Sequence, residues 1–273
     1  MKDYNEKQMQ LMEIMDQYTN SDIIIAFSGG VDSSLLLKIA CEKAKTKGTK
    51  VYAVTIHTKL HPMNDLENAR KVAIESGAIH EVLHVDELSE AGIGNNPEDR
   101  CYLCKKTLFQ KLLDMAKEKK ITHVLEGTNE DDLHVYRPGL KALKELGVKS
   151  PLAQVEITKA EVRKMAETYG LSVAHRPSAP CLATRFPYGT ELSYDIMRQI
   201  EKAEDYIRSF GFYNVRVRVH NDVARIEVDD QDLEKLLQER ASIISFMKNI
   251  GFCYITIDLE GFRSGSMDIK VNK

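Results

Sequence analysis

The amino-acid sequence predicts an α/β protein: a doubly wound parallel sheet followed by a smaller α+β domain. Three observations carry this. Short β-branched runs alternate with helical patterns as far as His175. A glycine turn, Ser28-Gly29-Gly30-Val31-Asp32-Ser33-Ser34, joins the first apolar run to a helix. After a proline-flanked cysteine segment the alternation stops, and an αββαβ order replaces it.

Taken in order, Glu6 to Tyr18 places Met9, Leu11, Met12, Ile14 and Met15 at amphipathic helix spacing. Ile23-Ile24-Ile25-Ala26-Phe27 reads as a strand buried on both faces, and Leu35 to Ala40 as the helix beyond the glycine turn. Val51 to Ile56 is the second strand. In such sheets the strand C-termini line a nucleotide cleft, so Val54 and Thr55 are expected to touch adenosine. His57 and His61 follow; Pro62 and the loop setting favour surface histidines over a metal pair. Asn64 to Ser76 is a helix ended by Gly77. His80 to Val85 is the third strand, with His80 and His84 on one face, expected in solvent.

Ala91 to Arg100 reads as a loop, and Cys101-Tyr102-Leu103-Cys104 opens a helix reaching Lys117. Ile121 to Glu126 is the fourth strand, ending in Gly127-Thr128-Asn129-Glu130-Asp131-Asp132. Arg137-Pro138-Gly139 starts the next segment and Pro151-Leu152 closes it. Thr158 and Glu161 form a capping box for a helix to Tyr169, stopped by Gly170. Prolines at 177 and 180 prevent a regular helix or central strand, so 176–192 is expected to be a cysteine-bearing linker between domains 1–175 and 193–273. The second domain then has a helix from Tyr194 to Phe210, strands Asn214 to His220 and Val223 to Val228 turning at Asn221-Asp222, a helix from Gln231 to Ile250 and a strand Tyr254 to Leu259.

The 273 residues, 43% hydrophobic and 29% charged, suit one large domain or two modest ones. A net charge of −3 argues against a broad nucleic-acid surface. No run is long and apolar enough for a membrane helix, and the polar start Met1-Lys2-Asp3-Tyr4-Asn5-Glu6 carries no signal pattern; a cytoplasmic protein is expected. The five cysteines are an odd number, which argues against a disulfide framework. Cys41 and Cys253 are expected to be buried and inert.

Two features carry chemistry. In the glycine turn, Gly29 and Gly30 let backbone N–H groups approach an anion, while Ser28, Ser33 and Ser34 add hydroxyls at a helix N-terminus. The turn is neither G-x-x-x-x-G-K-[ST] nor G-x-G-x-x-G, which disfavours kinase, GTPase and dinucleotide chemistry. The second feature is Cys101-x-x-Cys104 at a helix start, where the dipole favours thiolate, with Cys181 held between prolines. These thiols leave three roles open: a redox pair, zinc with Cys181 and His175, or an iron–sulfur cluster with Cys181.

The turn S-G-G-x-D-S resembles the PP-loop of ATP pyrophosphatases, in which Asp32 would help hold Mg²⁺. Further motifs coincide: Glu126-Gly127-Thr128-Asn129 with Asp131-Asp132, Arg137-Pro138-Gly139, Pro180-Cys181-Leu182-Ala183-Thr184-Arg185 before Pro187-Tyr188-Gly189, Val215 to His220, Ala224-Arg225-Ile226-Glu227 and Gly261 to Ser266. Together they resemble the LarE family of ATP-dependent sulfur transferases over nearly the whole chain.

The resemblance implies a Rossmann-like PP-loop fold of the adenine nucleotide alpha hydrolase type. It implies adenylation of a carboxylate on a pyridinium dicarboxylate mononucleotide, then replacement of AMP by sulfur, as in nickel-pincer cofactor synthesis. ATP would meet Ser28, Gly29, Gly30, Val31, Asp32, Ser33, Ser34, Val54, Thr55 and Gly127; Cys181, Asp32 and Arg185 would be catalytic. Arg185, Arg216, Arg263 and Ser264 would hold the anionic substrate, because arginine forks match carboxylate and phosphate. The C-x-x-C pair resembles the variant in which Cys101, Cys104 and Cys181 hold a [4Fe–4S] cluster carrying an extra sulfide. In the other form the cysteine at position 181 gives up its own sulfur. The implied partners are sulfide or a sulfur donor and further copies of the chain. Glu227 is expected to face solvent. A tRNA thiolase, an amidotransferase of the NAD or GMP synthetase type and a nucleotide sensor remain as alternatives.

Overall fold

An isoleucine run with no polar face has to be covered on both sides, and β1 is the case in point. The computed structural model describes residues 3–61, 64–135, 137–175, 181–263 and 265–267. The chain divides into two compact units, one drawn from Met1–Lys59, Met63–Ala91 and Asp99–Ala179, the other from Leu60–Pro62, Gly92–Glu98 and Pro180–Lys273.

The first unit runs α1 (Tyr4–Tyr18), β1 (Ile23–Ala26), α2 (Val31–Lys47), β2 (Val51–His57), α3 (Asn64–Ser76), β3 (Ile79–His84), α4 (Glu87–Glu90), α5 (Arg100–Glu118), β4 (His123–Leu125), α6 (Gly139–Glu145), α7 (Pro151–Gln154) and α8 (Lys159–Thr168). The sheet order is β3-β2-β1-β4, and each pair is parallel. This is the predicted parallel α/β sheet. Side chains alternate along β1. Ile23 and Ile25 join a core with Leu11, Leu35 and Met165, whereas Ile24 joins Val54, Phe109 and Leu112 on the opposite face. The capping box at α8 forms as read: the Thr158 N–H donates to Glu161 Oε2 at 2.8 Å and the Glu161 N–H to Thr158 Oγ1 at 3.4 Å. Among the described residues no helix is long and apolar enough to cross a membrane.

The second unit contains α9 (Tyr194–Arg208), β5 (Val215–His220), β6 (Val223–Val228), α10 (Leu233–Gln238), α11 (Arg240–Asn249) and β7 (Tyr254–Ile257). Its sheet order is β5-β6-β7, antiparallel then parallel. The helix expected from Gln231 to Ile250 is two helices. Glu239 leaves the helical basin at ψ 3°, and its N–H closes α10 on Lys235 and Leu237.

The segment expected to be a free linker is packed into this unit over its described part, 181–192. The Leu182 N–H donates to Leu60 O at 2.8 Å, and the Leu192 N–H to Gly94 O at 2.8 Å. Asn96, buried and left-handed at φ 49°, donates from Nδ2 to Phe186 O and Pro187 O. Prolines 177 and 180 lie outside the described residues, and the partners that hold 181–192 are distant in the chain. Two more expectations change. Cys253 is exposed, not buried; Cys41 is half-buried, and burial pushes its thiol up to about 12.

One buried carboxylate organises the second unit. Glu204 accepts from Arg185 Nε at 2.8 Å, Arg185 Nη2 at 3.0 Å, Arg208 Nη2 at 2.7 Å and the Val217 N–H at 3.0 Å. Burial alone would raise its pKa; Arg185, with further help from Arg216 and the Val217 N–H, holds it below the usual carboxylate range. Glu204→Ala strands buried arginine charge and is expected to cost about 3–5 kcal/mol in urea unfolding. The depressed carboxyl also sets a sign. Its contribution is complete above the ordinary carboxylate pKa and is lost as pH falls through the lower folded value. Glu204→Gln should therefore flatten the acid limb of stability against pH; an unchanged limb would count against this role.

Candidate active site

The β1–α2 turn is shaped by close backbone approach. Gly29 lies at φ +70°, and a Cβ there would stand 3.1 Å from Ala69 Cα of α3. A Cβ on Gly127, at the end of β4, would come within 3.0 Å of Ser33 N and 3.1 Å of Asp32 Cβ. The loop after β4 therefore lies directly against the first turn of α2. Ser28 Oγ accepts from the Gly30 N–H at 3.3 Å and lies 3.2 Å from Ser33 Oγ, while Ser33 Oγ donates to Gly30 O at 3.2 Å. The result is a helix N-terminus framed by hydroxyls, a setting that attracts a phosphate chain.

Not every candidate shares this place. Val31 is buried, and Ser34 is wholly enclosed, its hydroxyl without a hydrogen-bond partner among the described residues. The Val54 side chain belongs to the core, and its carbonyl takes the Phe27 N–H at 2.8 Å. The Ser34 and Val54 side chains thus face inward, which periodicity alone did not mark. Thr55 Oγ1 lies 2.9 Å from His80 Nε2. His80 is half-buried rather than in solvent, edge-on to Phe27, and burial, with Arg70, lowers its pKa.

Asp32 is where three segments converge. Its Oδ1 accepts from Asn129 Nδ2 at 3.0 Å, and its Oδ2 pairs with the Lys159 ammonium. Asn129 exchanges hydrogen bonds with Asp132, whose carboxyl is raised by burial and pairs with Arg137 at 2.8 Å. Buried Glu126 fixes the loop by accepting from the Thr128 N–H, Thr128 Oγ1 and Ser150 Oγ. Sequence reasoning missed Lys159. The capping box located its helix, but nothing local joined it to a residue 127 positions earlier. One carboxylate beside a phosphate cradle is a suitable protein ligand for Mg²⁺, which keeps most of its other positions for water and phosphate oxygens.

The C-x-x-C thiols, Cys101 and Cys104, sit at the start of α5. The Cys104 thiol donates to Glu87 Oε1 at 3.1 Å, and Arg100 Nη2 approaches Cys101 Sγ at 3.9 Å. Their C-x-x-C spacing at one helix start suits two places of a cluster's donor set. Among the described residues no three His, Cys, Asp or Glu side chains form a metal-holding group. His175, weighed as a zinc ligand, is exposed and 3.5 Å from Glu167.

In the second unit Cys181 caps a single 3-10 turn, Leu182–Arg185. Arg185 was expected to meet substrate. It is 2% exposed, and besides Glu204 it donates to Thr184 Oγ1 at 2.8 Å and Cys181 O at 3.4 Å. Its fork is engaged in holding the cysteine turn. Glu227, expected in solvent, is fully buried and accepts from Arg218 at 2.9 Å, Arg225 at 3.1 Å and Ser266 at 2.9 Å. Arg218 from β5 and Arg225 from its own strand make this burial tolerable. Arg216 is buried over the Phe262 ring and donates to Val215 O; burial, then repulsion from Arg185, lowers its pKa to about 10. Among the described residues no carboxylate lies in ion-pair range of it. Arg263 pairs with Asp258 and Glu260, and Ser264 lies outside the described residues.

A parallel sheet whose first turn presents backbone amides, hydroxyls and a carboxylate defines an ATP-handling PP-loop protein. The PP-loop domain family matches residues 3–133. The chain is 38% identical over 251 residues to the pyridinium-3,5-bisthiocarboxylic acid mononucleotide synthase of Lactiplantibacillus plantarum, covering 92% of this chain and 90% of that one. It is 37% identical over 252 residues to an uncharacterized Synechocystis protein, covering 92% and 93%. A tRNA-specific 2-thiouridylase of Rickettsia bellii is 29% identical over 199 residues, covering 58% and 52%. The chain belongs to the LarE family of PP-loop sulfur transferases.

The Gly127 contact gives a direct check. Gly127→Ala must push the loop after β4 away from Ser33 and Asp32. ATP affinity, measured by calorimetry, should fall about tenfold while the circular dichroism spectrum is kept. Unchanged affinity would mean this juxtaposition does not shape the nucleotide site.

Proposed function

We propose that this protein adenylates a carboxylate of a small nucleotide-like acid and replaces the AMP with sulfur. The substrate is of the pyridinium-3,5-dicarboxylic acid mononucleotide class, and the product is its thiocarboxylate in nickel-pincer cofactor synthesis. The observation that carries the reading is the meeting of Asp32, Asn129 and Lys159 at the N-terminus of α2. Identity spanning 92% of the chain with the small-molecule synthase, against 58% with the tRNA enzyme, supports a small acid over tRNA.

The first step uses the chain's own groups. Backbone amides at Gly29 to Ser33 hold the β- and γ-phosphates, and Asp32 holds Mg²⁺. A substrate carboxylate oxygen attacks the α-phosphorus; the bond to the β-bridging oxygen breaks, and pyrophosphate leaves with that electron pair. The acyl-adenylate then loses AMP to a sulfur nucleophile at the carbonyl carbon. Cys101, Cys104 and Cys181 would hold a [4Fe–4S] cluster, whose chemistry is to present sulfide for that displacement. Arg185, tied to Cys181 O and Glu204, positions the cysteine turn. Arg216 is the guanidinium best placed by chemistry to receive a substrate anion, because it is buried with a backbone carbonyl, the Phe262 face and the more distant charge of Glu204, and among the described residues it has no carboxylate in ion-pair range.

Anaerobically purified protein should contain iron and acid-labile sulfide, and Cys181 should keep its mass through turnover. Loss of one sulfur and two hydrogens from Cys181 would replace the cluster with a sacrificial cysteine. Pyrophosphate release should require both ATP and the pyridinium dicarboxylate mononucleotide. Asp32→Asn should lower kcat/KM about 100-fold or more. A variant with wild-type turnover would remove Asp32 from the mechanism.

A further inference from the structure

Lys159 and a divalent cation compete for one oxygen. The ammonium is paired with Asp32 Oδ2, while Asn129 keeps Oδ1 at 3.0 Å. A metal arriving with a nucleotide needs that same carboxylate, and a carboxylate oxygen already paired with an ammonium is a poor metal ligand.

The backbone beneath Lys159 is anchored, whereas its side chain is held at its tip by Asp32. The Lys159 N–H donates to Asp131 Oδ2 at 2.7 Å, the Thr158–Glu161 capping box closes the turn, and Glu161 is tied to Lys7 at 3.1 Å. The Lys159 side chain is 36% exposed. Its four-carbon stem can swing the ammonium across several ångströms without disturbing α8. Gly127, packed on Asp32 and Ser33, keeps the β4 loop and Asn129 in place meanwhile.

We infer that Lys159 is a placeholder cation. In the nucleotide-free enzyme it occupies Asp32 and keeps metal out. When a metal–nucleotide enters, Asp32 exchanges Lys159 for the nucleotide's cation, and the ammonium turns to the phosphates. There it touches the departing pyrophosphate and neutralises charge that grows as the α-phosphorus bond breaks, which makes it a catalytic residue. The exchange costs little, because each negative group keeps a positive partner before and after. The exclusion of metal rests on the ATP site proposed above alone, and the catalytic role also takes the acid proposed there; neither depends on the source of sulfur.

The test is Mn²⁺ binding to the full chain, followed by electron paramagnetic resonance with and without ATP. Wild type should bind Mn²⁺ weakly alone and tightly with ATP. Lys159→Met, with Lys159→Gln run in parallel, should bind Mn²⁺ without ATP about tenfold more tightly than wild type. Lys159→Arg, which keeps the charge, should exclude the metal as wild type does. With the pyridinium dicarboxylate mononucleotide as acid, pyrophosphate release by Lys159→Met should lose kcat rather than gain KM. Unchanged Mn²⁺ affinity in both uncharged variants overturns the placeholder role, and an effect on KM alone overturns the catalytic one. If no protein binds Mn²⁺ even with ATP, the ATP site itself is wrong and this inference falls with it.

Discussion

The contact between Asp32 and its two partners holds the first unit's chemistry together. Asp32 stands on the opening turn of α2, Asn129 on the loop after β4 and Lys159 on the first residue of α8. These segments are distant in the chain, and parallel pairing of β1 with β4 brings two of them level. The absence of a Cβ at Gly127 then allows the backbones to close. Strand order, a glycine and a helix cap thus converge on a single carboxylate, at the strand ends where open α/β sheets bind ligands.

The second unit solves a different problem, that of keeping arginines inside a small α+β frame. Glu204 and Glu227 are each enclosed and each shared by two arginines. Such pairs are costly to desolvate and gain little net stability, so their value lies in fixing geometry. Here the geometry fixed is that of the Cys181 turn: Arg185 bridges Glu204 to the Cys181 carbonyl, and Arg218 donates to Thr184 O at 3.0 Å. Arg216 is left with a backbone carbonyl and an aromatic face, and it is the guanidinium that an incoming anion would relieve.

Much of the first unit was legible because its signals are local. The Ile23 to Phe27 run, the S-G-G-x-D-S turn and the Thr158–Glu161 box each act within a few residues. Gly127 could be named from its place at a strand end. What could not be read were pairings set by tertiary packing. His80 meets Thr55 across the sheet, Glu227 meets Arg218 of the neighbouring strand, and Lys159 reaches back to Asp32. A charged residue on a strand looks solvated in sequence, because the partner that buries it carries no mark of being a partner. The 181–192 segment shows the same limit: the prolines before it suggested a linker, while Asn96 and Leu60 hold it in place.

The central claim is that a carboxylate is activated as its adenylate before sulfur arrives. The most direct measurement labels the substrate carboxylates of the pyridinium dicarboxylate mononucleotide with ¹⁸O and analyses both products by mass spectrometry. The account predicts one ¹⁸O in the phosphate of each AMP released and one sulfur in the matching acid. AMP free of ¹⁸O, formed alongside a thiocarboxylate, would contradict it.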